Sequence, residues 1–330
     1  MVGKSMKKGG MHHMIDAVSD HKDALGPSSR ESPAGAKKPR PALTSIRLLR
    51  VHQWIKNVLV FLPALAAHRL LEPAVAIACL HAFLVFSLCA SSVYVLNDCL
   101  DYESDRLHPR KKNRPIAAGM VPLRIGWFLV VALAVVSLVG GLMLSQPVAF
   151  WLIIYVFLNI AYSYYVKKTI IADIVVLTGF YLLRLMVGSA ATGIVISPWL
   201  MAFCFAVFFS LSACKRYAEL VALADGESLK KRRRSYHTHD AATIHMIGVA
   251  AAFSAVIILG LYIDSPMAKE LYRRPELLWL CCPLILYWLL RLWIIAGRGE
   301  LVDDPLVVAT RDWRAWVMVI GMGFVTFLAT

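Results

Sequence analysis

Charge is what this chain has least of. Asp, Glu, Lys and Arg make up 17% of its 330 residues and hydrophobic residues 59%, against about 25% charged in soluble proteins. The shortage is concentrated: residues 74–96 and 125–166 contain no Asp, Glu, Lys or Arg at all. Together these features exclude an ordinary soluble globule. The N-terminal stretch has no apolar core of a secretory signal. The seven Cys residues show no metal-type or CxxC spacing; six lie in apolar segments, Cys99 lies among acids, and Cys281-Cys282 are adjacent, so they read as packing residues in a reducing setting. The net charge of +14 comes without any nucleic-acid-binding motif, and basic loops at an anionic membrane surface account for it.

What is present is a series of windows long enough to cross a bilayer, which takes about 20 apolar residues each. Spans are expected near 53–71, 74–96, 122–144, 148–166, 170–191, 199–222, 243–263, 277–296 and 314–329, with Ser145-Gln146-Pro147 breaking the longest uncharged run. The fold class is an all-α polytopic membrane protein, a bundle of about nine transmembrane helices. Lys and Arg cluster after spans two, four, six and eight and are absent after spans three and five. The positive-inside rule then puts the N-terminus and the even-numbered loops in the cytoplasm of a bacterial inner (plasma) membrane, and the C-terminus outside. Residues 1–44 read as a disordered basic cytoplasmic arm, and 45–330 as the transmembrane domain. Nothing sets an oligomeric state, so oligomerisation is left open.

One group of polar residues has no topological excuse. Asn97, Asp98, Asp101 and Asp105 follow the second span, and Arg106, Arg110, Lys111, Lys112 and Arg114 come directly after. On a continuing helix the three acids sit at i, i+3 and i+7 and share a face. Carboxylates that close repel and call for a cation. Mg²⁺, which combines carboxylates with substrate phosphates and water, suits them, while the neighbouring bases suit the remaining phosphate oxygens. The cluster is expected to bind a diphosphate at the cytoplasmic surface.

Other candidates have competing explanations. Lys56 and Asn57, beside Trp54, are either a snorkelling anchor or part of the site. Tyr162 and Lys167 end span four, where an aromatic belt with anchoring lysines is the plain alternative. Arg184 lies two or three turns into span five. A charge at that depth costs roughly 2.5–3.5 kcal/mol on insertion scales, so an anionic ligand or a buried carboxylate is expected to face it. Lys215 and Arg216 precede Glu219, which can simply pair with Lys215 four residues away; alternatively they grip a phosphate. The run 230–234 is expected to face lipid headgroups, and Asp303, Asp304, Arg311 and Asp312 read as an ordinary polar loop.

At Asn97-Asp98-x-x-Asp101-x-x-x-Asp105 the chain resembles the UbiA-type superfamily of intramembrane prenyltransferases, from about Leu43 to the C-terminus. That resemblance implies a helical bundle with Mg²⁺-diphosphate bound at the cytoplasmic mouth of a lateral cavity. Gln53-Trp54-x-Lys56-Asn57, Asp105-Arg106-x-His108-Pro109, Arg114-Pro115-Ile116-Ala117-Ala118-Gly119, Lys215-Arg216-Tyr217-Ala218-Glu219-Leu220, and Asp304-Pro305 with Arg311-Asp312 are similar to its decaprenyl-phosphate phosphoribosyltransferase branch. Aromatic prenyltransferases of the superfamily carry a second acid-rich motif between helices six and seven. Here Lys215, Arg216 and Glu219 stand instead, with Asp225 and Glu227 beyond. The extra positive charge suits a ligand with more phosphates.

The resemblance implies a Mg²⁺-dependent transfer of 5-phosphoribose from phosphoribosyl pyrophosphate to a polyprenyl phosphate such as decaprenyl phosphate, feeding a cell-wall glycolipid. Asp98, Asp101 and Asp105, with Asn97, would hold the metal. Arg106 and Arg114 would meet the diphosphate, and Lys167, Arg184, Lys215 and Arg216 the other phosphates, with Lys56, Asn57 and Tyr162 as further substrate contacts. Two readings compete. Prenylation of an aromatic or other ring acceptor wants the missing second motif. A transporter wants repeat symmetry and broken helices at mid-membrane, whereas these acids lie at one surface.

Overall fold

The computed structural model describes residues 46–107, 111–224, 236–301 and 304–330. The arm expected over 1–44 lies outside the described residues, as do residues 108–110, Asp225, Glu227, the basic run 230–234 and Asp303. The described residues contain no strand; their longer helical segments follow one another in the expected order, with one- or two-turn helices between them.

The first, α1, winds as a 3₁₀ helix over Val51–Phe61 and continues as an α-helix over Leu62–Ala66. Then come α2 (Pro73–Leu100), α3 (Leu123–Leu144), α4 (Gln146–Tyr164), α5 (Ala172–Thr192), α6 (Pro198–Ala224) and α7 (Ala241–Ile263). α8 is a 3₁₀ turn, Pro275–Leu280, leading into Cys281–Gly297, and α9 is Trp313–Ala329. Among the described residues seven helices are long and apolar enough to cross a membrane, and an eighth span results if Pro305–Arg311 and α9, which meet at 91°, count as one. α1 is short in residues only. At about 2.0 Å rise per residue in its 3₁₀ part and 1.5 Å beyond, it reaches about 30 Å, the thickness of the hydrocarbon layer. The chain is an integral membrane protein.

Local chemistry explains the ends. Prolines occupy the first turns of α2, α4 and α8, where the missing N–H costs nothing. Gly193 closes α5 at φ 71°, the left-handed cap that Gly takes without strain. Ser145 caps α4, accepting from the Val148 N–H at 3.3 Å and donating to the Ala190 carbonyl at 3.1 Å, so the α3–α4 turn is fastened to α5.

Two apolar cores hold the bundle. One joins α5, α6, α7 and α8 around Leu185, Leu211, Ile244, Leu289 and Trp293. The other joins α1, α2, α4 and α5 around Val60, Phe86, Leu152 and Val187. α5 belongs to both and crosses α1 at Gly188, where an added Cβ would lie 2.0 Å from the Val60 carbonyl oxygen. That close approach brings Arg184 of α5 beside Asn57 of α1. Outward faces of α3, α7 and α9 carry Phe128, Val135, Ile257, Ile320 and Phe327 in the open, as lipid-facing helices should.

Candidate active site

α2 ends on the acids. Asn97 and Asp98 lie in its last turn, Asp101 closes it, and the one-turn helix Tyr102–Arg106 carries Asp105. The Asp105 N–H donates to the Asp101 carbonyl at 2.8 Å, so the path hardly breaks and Asp98 and Asp105 face the same way. Both are buried. Arg114 joins them, its Nη1 lying 3.0 Å from Asp98 Oδ1 and 2.5 Å from Asp105 Oδ2. Arg50 Nη2 stands 2.5 Å from Asp98 Oδ1, and Lys111 Nζ 3.7 Å from Asp105 Oδ1. Asn97 Oδ1 accepts from the Ser163 hydroxyl of α4 at 3.1 Å.

Among the described residues no three His, Cys, Asp or Glu side chains group as metal ligands, so the three-carboxylate set is not assembled. Asp101 stands at the cap between the two helices (ψ 6°), with i→i−4 hydrogen bonds running on both sides of it. Arg106 does not join the cluster either: it is exposed, 3.4 Å from the Tyr102 hydroxyl and stacked over that ring at 5.6 Å. One residue along a helix turns a side chain by about 100°, away from the face that Asp105 uses. What remains still fits Mg²⁺. Two buried carboxylates and a carboxamide are hard oxygen donors, and this ion commonly takes one or two protein carboxylates with the rest from phosphates and water. The three cations on Asp98 and Asp105 balance the charge such an ion would balance.

A second cluster surrounds a residue that the sequence reading left in a polar loop. Asp304 is buried; its Oδ2 lies 2.8 Å from Lys56 Nζ and 3.0 Å from Lys215 Nζ. Its Oδ1 accepts from the Tyr181 hydroxyl at 3.0 Å and the Leu306 N–H at 3.3 Å. Burial works to raise the carboxyl's pKa, but Lys215 and Lys56 hold it below the ordinary value. Lys215 therefore does not pair with Glu219; the partner is Asp304, 89 positions away.

Arg216 is the largest fully buried side chain described. Its Nε lies 2.8 Å from Asp173 Oδ2, yet off the N–H direction, so the contact is ionic and leaves Nε, Nη2 and that oxygen without a directed hydrogen bond. Glu219 pairs with Nη1, and the Tyr162 hydroxyl lies near the guanidinium. Tyr236 donates to Asp173 Oδ1 and accepts the Ile171 N–H at 2.7 Å. Burial and this bond to a carboxylate push the Tyr236 hydroxyl's pKa up. Ile171 stands at φ 64°, a strained conformation for a β-branched residue, which the Tyr236 hydroxyl pins in place.

Arg184 is buried as expected, but no carboxylate meets it directly. Its Nε donates to Asn57 Oδ1 at 2.9 Å, and Nη1 to the Phe180 carbonyl. Its guanidinium lies over Phe86, Tyr181 and Tyr155 at 5.1, 5.7 and 5.9 Å. Asn57 in turn donates to Ser87 at 2.9 Å. Neutral carbonyls and ring faces stand where a protein carboxylate was one of the two expectations, each contributing a fraction of what a carboxylate would. Lys167 is half-buried at the end of α4 and makes no ion pair among the described residues.

The structure thus brings Lys56, Asn57, Arg184 and Lys215 together through Asp304 and Tyr181, sets Arg216 and Tyr162 beside Lys215, and gathers Asp98, Asp105 and Arg114, with Asn97 next to them in sequence and turned to Ser163. Arg50, Asp173, Tyr181, Tyr236 and Asp304 went unnoticed as site residues because each partner is distant in sequence and no local spacing marks them. A crevice of about 230 Å³ between α2, α3 and α4 opens at Asn97 and Ser163, with Leu96, Leu100, Trp127 and Ile160 as apolar walls. A larger one, about 450 Å³ between α6 and α7, does not touch the acids.

A match to the UbiA prenyltransferase family covers residues 57–308. The chain is 32% identical over 291 residues to decaprenyl-phosphate phosphoribosyltransferase of Mycobacterium tuberculosis, covering 84% of this chain and 92% of that protein. It is 31% identical over 281 residues to uncharacterized protein y4nM of Sinorhizobium fredii, covering 85% of this chain and 54%, about half, of that longer one. The fold is similar to that of a UbiA homolog from Archaeoglobus fulgidus solved with GPP and Mg²⁺. That likeness has a TM-score of 0.62 at 15% identity, covering 86% of this chain and 99% of the other.

Proposed function

The chain belongs to the UbiA prenyltransferase family, and from that premise we propose that this transferase moves 5-phosphoribose from phosphoribosyl pyrophosphate to a polyprenyl phosphate, decaprenyl phosphate being the model acceptor, with release of diphosphate. The observation that carries the reading is the cation-rich second cluster. Lys215 and Arg216 stand where a prenyl-transferring relative would carry further acids, Lys56 and Arg184 join them from α1 and α5, and a donor with a phosphate besides its diphosphate is what they suit. The mycobacterial relative's name points to the same chemistry.

Asp98 and Asp105, with Asn97 and the capping Asp101, would hold Mg²⁺. Bound there, the ion would draw electron density from the leaving diphosphate and lower the barrier to its departure. Arg114 and Arg50 exchange their carboxylate partners for phosphate oxygens as donor and metal arrive. Lys56, Lys215 and Arg216 hold the remaining phosphates, with Arg184 supplying positive field through Asn57 and Tyr181, Tyr162 steadying Arg216, and Lys167 at the rim. An oxygen of the acceptor phosphate attacks the anomeric carbon as the bond from that carbon to the diphosphate oxygen breaks. The acceptor is already anionic, so no general base is needed. Attack opposite the leaving group inverts the carbon. The crevice at Asn97 gives a lipid tail a route from the bilayer. We assign this end of the bundle to the cytoplasmic side of a bacterial plasma membrane and the C-terminus to the outside, on the Lys/Arg bias of the loops.

The test is incubation of membranes containing the protein with radiolabelled phosphoribosyl pyrophosphate, Mg²⁺ and a polyprenyl phosphate. A labelled, organic-extractable lipid is expected. No labelled lipid, with turnover of a prenyl diphosphate and an aromatic acid instead, refutes the reading.

A further inference from the structure

The transfer has no evident use for a carboxylate between Lys56 and Lys215, yet Asp304 is fastened there by four contacts, to Lys56, Lys215, the Tyr181 hydroxyl and the Leu306 N–H. The charge balance gives it a purpose. Lys56, Lys215 and Arg184, whose guanidinium lies 5.7 Å from the Tyr181 ring centre, bring three positive charges against the single negative charge of Asp304, leaving two. Arg216 is answered separately by Asp173 and Glu219. A phosphate monoester carries about −1.5 to −2 near neutral pH; a diphosphate ester carries about one charge more.

We infer that Asp304 sets this seat to accept a phosphate monoester and to turn away a diphosphate. The inference rests on the proposed transfer and deepens it. The Lys215 side chain is 32% exposed, which gives the Lys56–Lys215 seat an open side at that residue. Any anion that shares those ammoniums lies within a few ångströms of the carboxylate. One further negative charge at such a distance lowers affinity on the order of tenfold. Without Asp304 three positive charges would remain, the complement of a diphosphate ester. The monoester has two possible sources of the same chemistry, the 5-phosphate of the sugar donor and the phosphate of the lipid acceptor.

The experiment is equilibrium binding to the full chain in lipid nanodiscs, with divalent metal removed by EDTA so that Asp98 and Asp105 recruit no diphosphate. The probes are labelled farnesyl phosphate and farnesyl diphosphate, with ribose 5-phosphate as competitor. The wild type is expected to bind the monophosphate about tenfold more tightly than the diphosphate. Asp304→Asn is expected to erase or reverse that preference, and Asp304→Glu to keep it. Displacement of farnesyl phosphate by ribose 5-phosphate assigns the seat to the sugar phosphate; its failure to compete assigns the seat to the lipid. Equal or tighter binding of the diphosphate by the wild type overturns the inference, even if the Asn variant fails to fold. An unchanged preference in a folded Asp304→Asn protein overturns it as well. These measurements involve no turnover, so a negative transfer assay with the preference intact would defeat the proposed reaction and leave this inference standing.

Discussion

Breaking the Arg216–Asp173 pair should damage the fold more than any other single polar substitution at this end of the bundle. Asp173 is fully buried and Arg216 1% exposed, 2.8 Å apart, and the pair ties the start of α5 to the end of α6. In Arg216→Met the carboxylate keeps the Tyr236 hydroxyl but loses its cation. Removing one member of a buried ion pair typically costs about 3–5 kcal/mol. About 4 kcal/mol is roughly a thousandfold in the unfolding equilibrium. Asp173→Asn should cost less, about 1–3 kcal/mol, because the guanidinium keeps Glu219, which is 37% exposed and tolerates a charge. The double variant removes both buried charges, and it should recover at least about 2 kcal/mol of the summed losses. The assay is unfolding in mixed micelles titrated with SDS, followed by tryptophan fluorescence, run as a double-mutant cycle. Additive losses, or an Arg216→Met protein within about 1 kcal/mol of the parent, would refute the reasoning that this contact is an ion pair sealed from solvent.

Other outcomes follow from the same geometry. Asp98→Asn and Asp105→Asn should each lower turnover by about a hundredfold or more with unchanged membrane insertion and elution, and chelation should silence the parent until Mg²⁺ is restored; retained turnover would remove these acids from the mechanism. Gly188→Ala places a Cβ 2.0 Å from the Val60 carbonyl oxygen, so it should destabilise by about 1–3 kcal/mol, read as a lower midpoint in the same titration. Arg184→Lys keeps the charge but loses the planar fork that reaches Asn57 and Phe180 and stacks on three rings; transfer should fall at least about tenfold, and a lysine variant as active as the parent would contradict the arrangement. Asp304 has a folded pKa below its unfolded value of 3.8, so its pairing contributes stability that is complete above that pH and is lost as pH falls through the lower folded value. Removing Asp304 should therefore blunt the acid limb of the stability profile, read as unfolding midpoints in the same titration run below and above pH 4.

Segments set by local pattern were readable. Uncharged runs and their proline breaks marked α2 to α8, and Asn97, Asp98 and Asp105 announced themselves by following a span directly. Lys56 and Lys215 were also in view, Lys56 as a snorkelling anchor or site residue and Lys215 as a partner for Glu219 or a phosphate. What escaped was their shared partner, because Asp304 reaches both only after the chain has returned across the bundle, and an acid before a proline resembles any helix cap. Arg184 was recognised as costly, but the sequence cannot show that carbonyls and rings, not a carboxylate, would receive it. The 3₁₀ winding of α1 leaves no periodic trace in so apolar a segment, and spacing alone does not say that Arg114 returns to bridge Asp98 and Asp105.

The central claim is that the bond between the anomeric carbon and the diphosphate is broken and that the sugar phosphate, not the diphosphate, goes to the lipid. Phosphoribosyl pyrophosphate labelled with ¹⁴C in the ribose and ³²P in the diphosphate tests it in one reaction with a polyprenyl phosphate. The account expects ¹⁴C in the lipid fraction and all ³²P in soluble inorganic diphosphate, in equal molar amounts. Lipid carrying ³²P, or diphosphate released with no ¹⁴C in lipid, would contradict it.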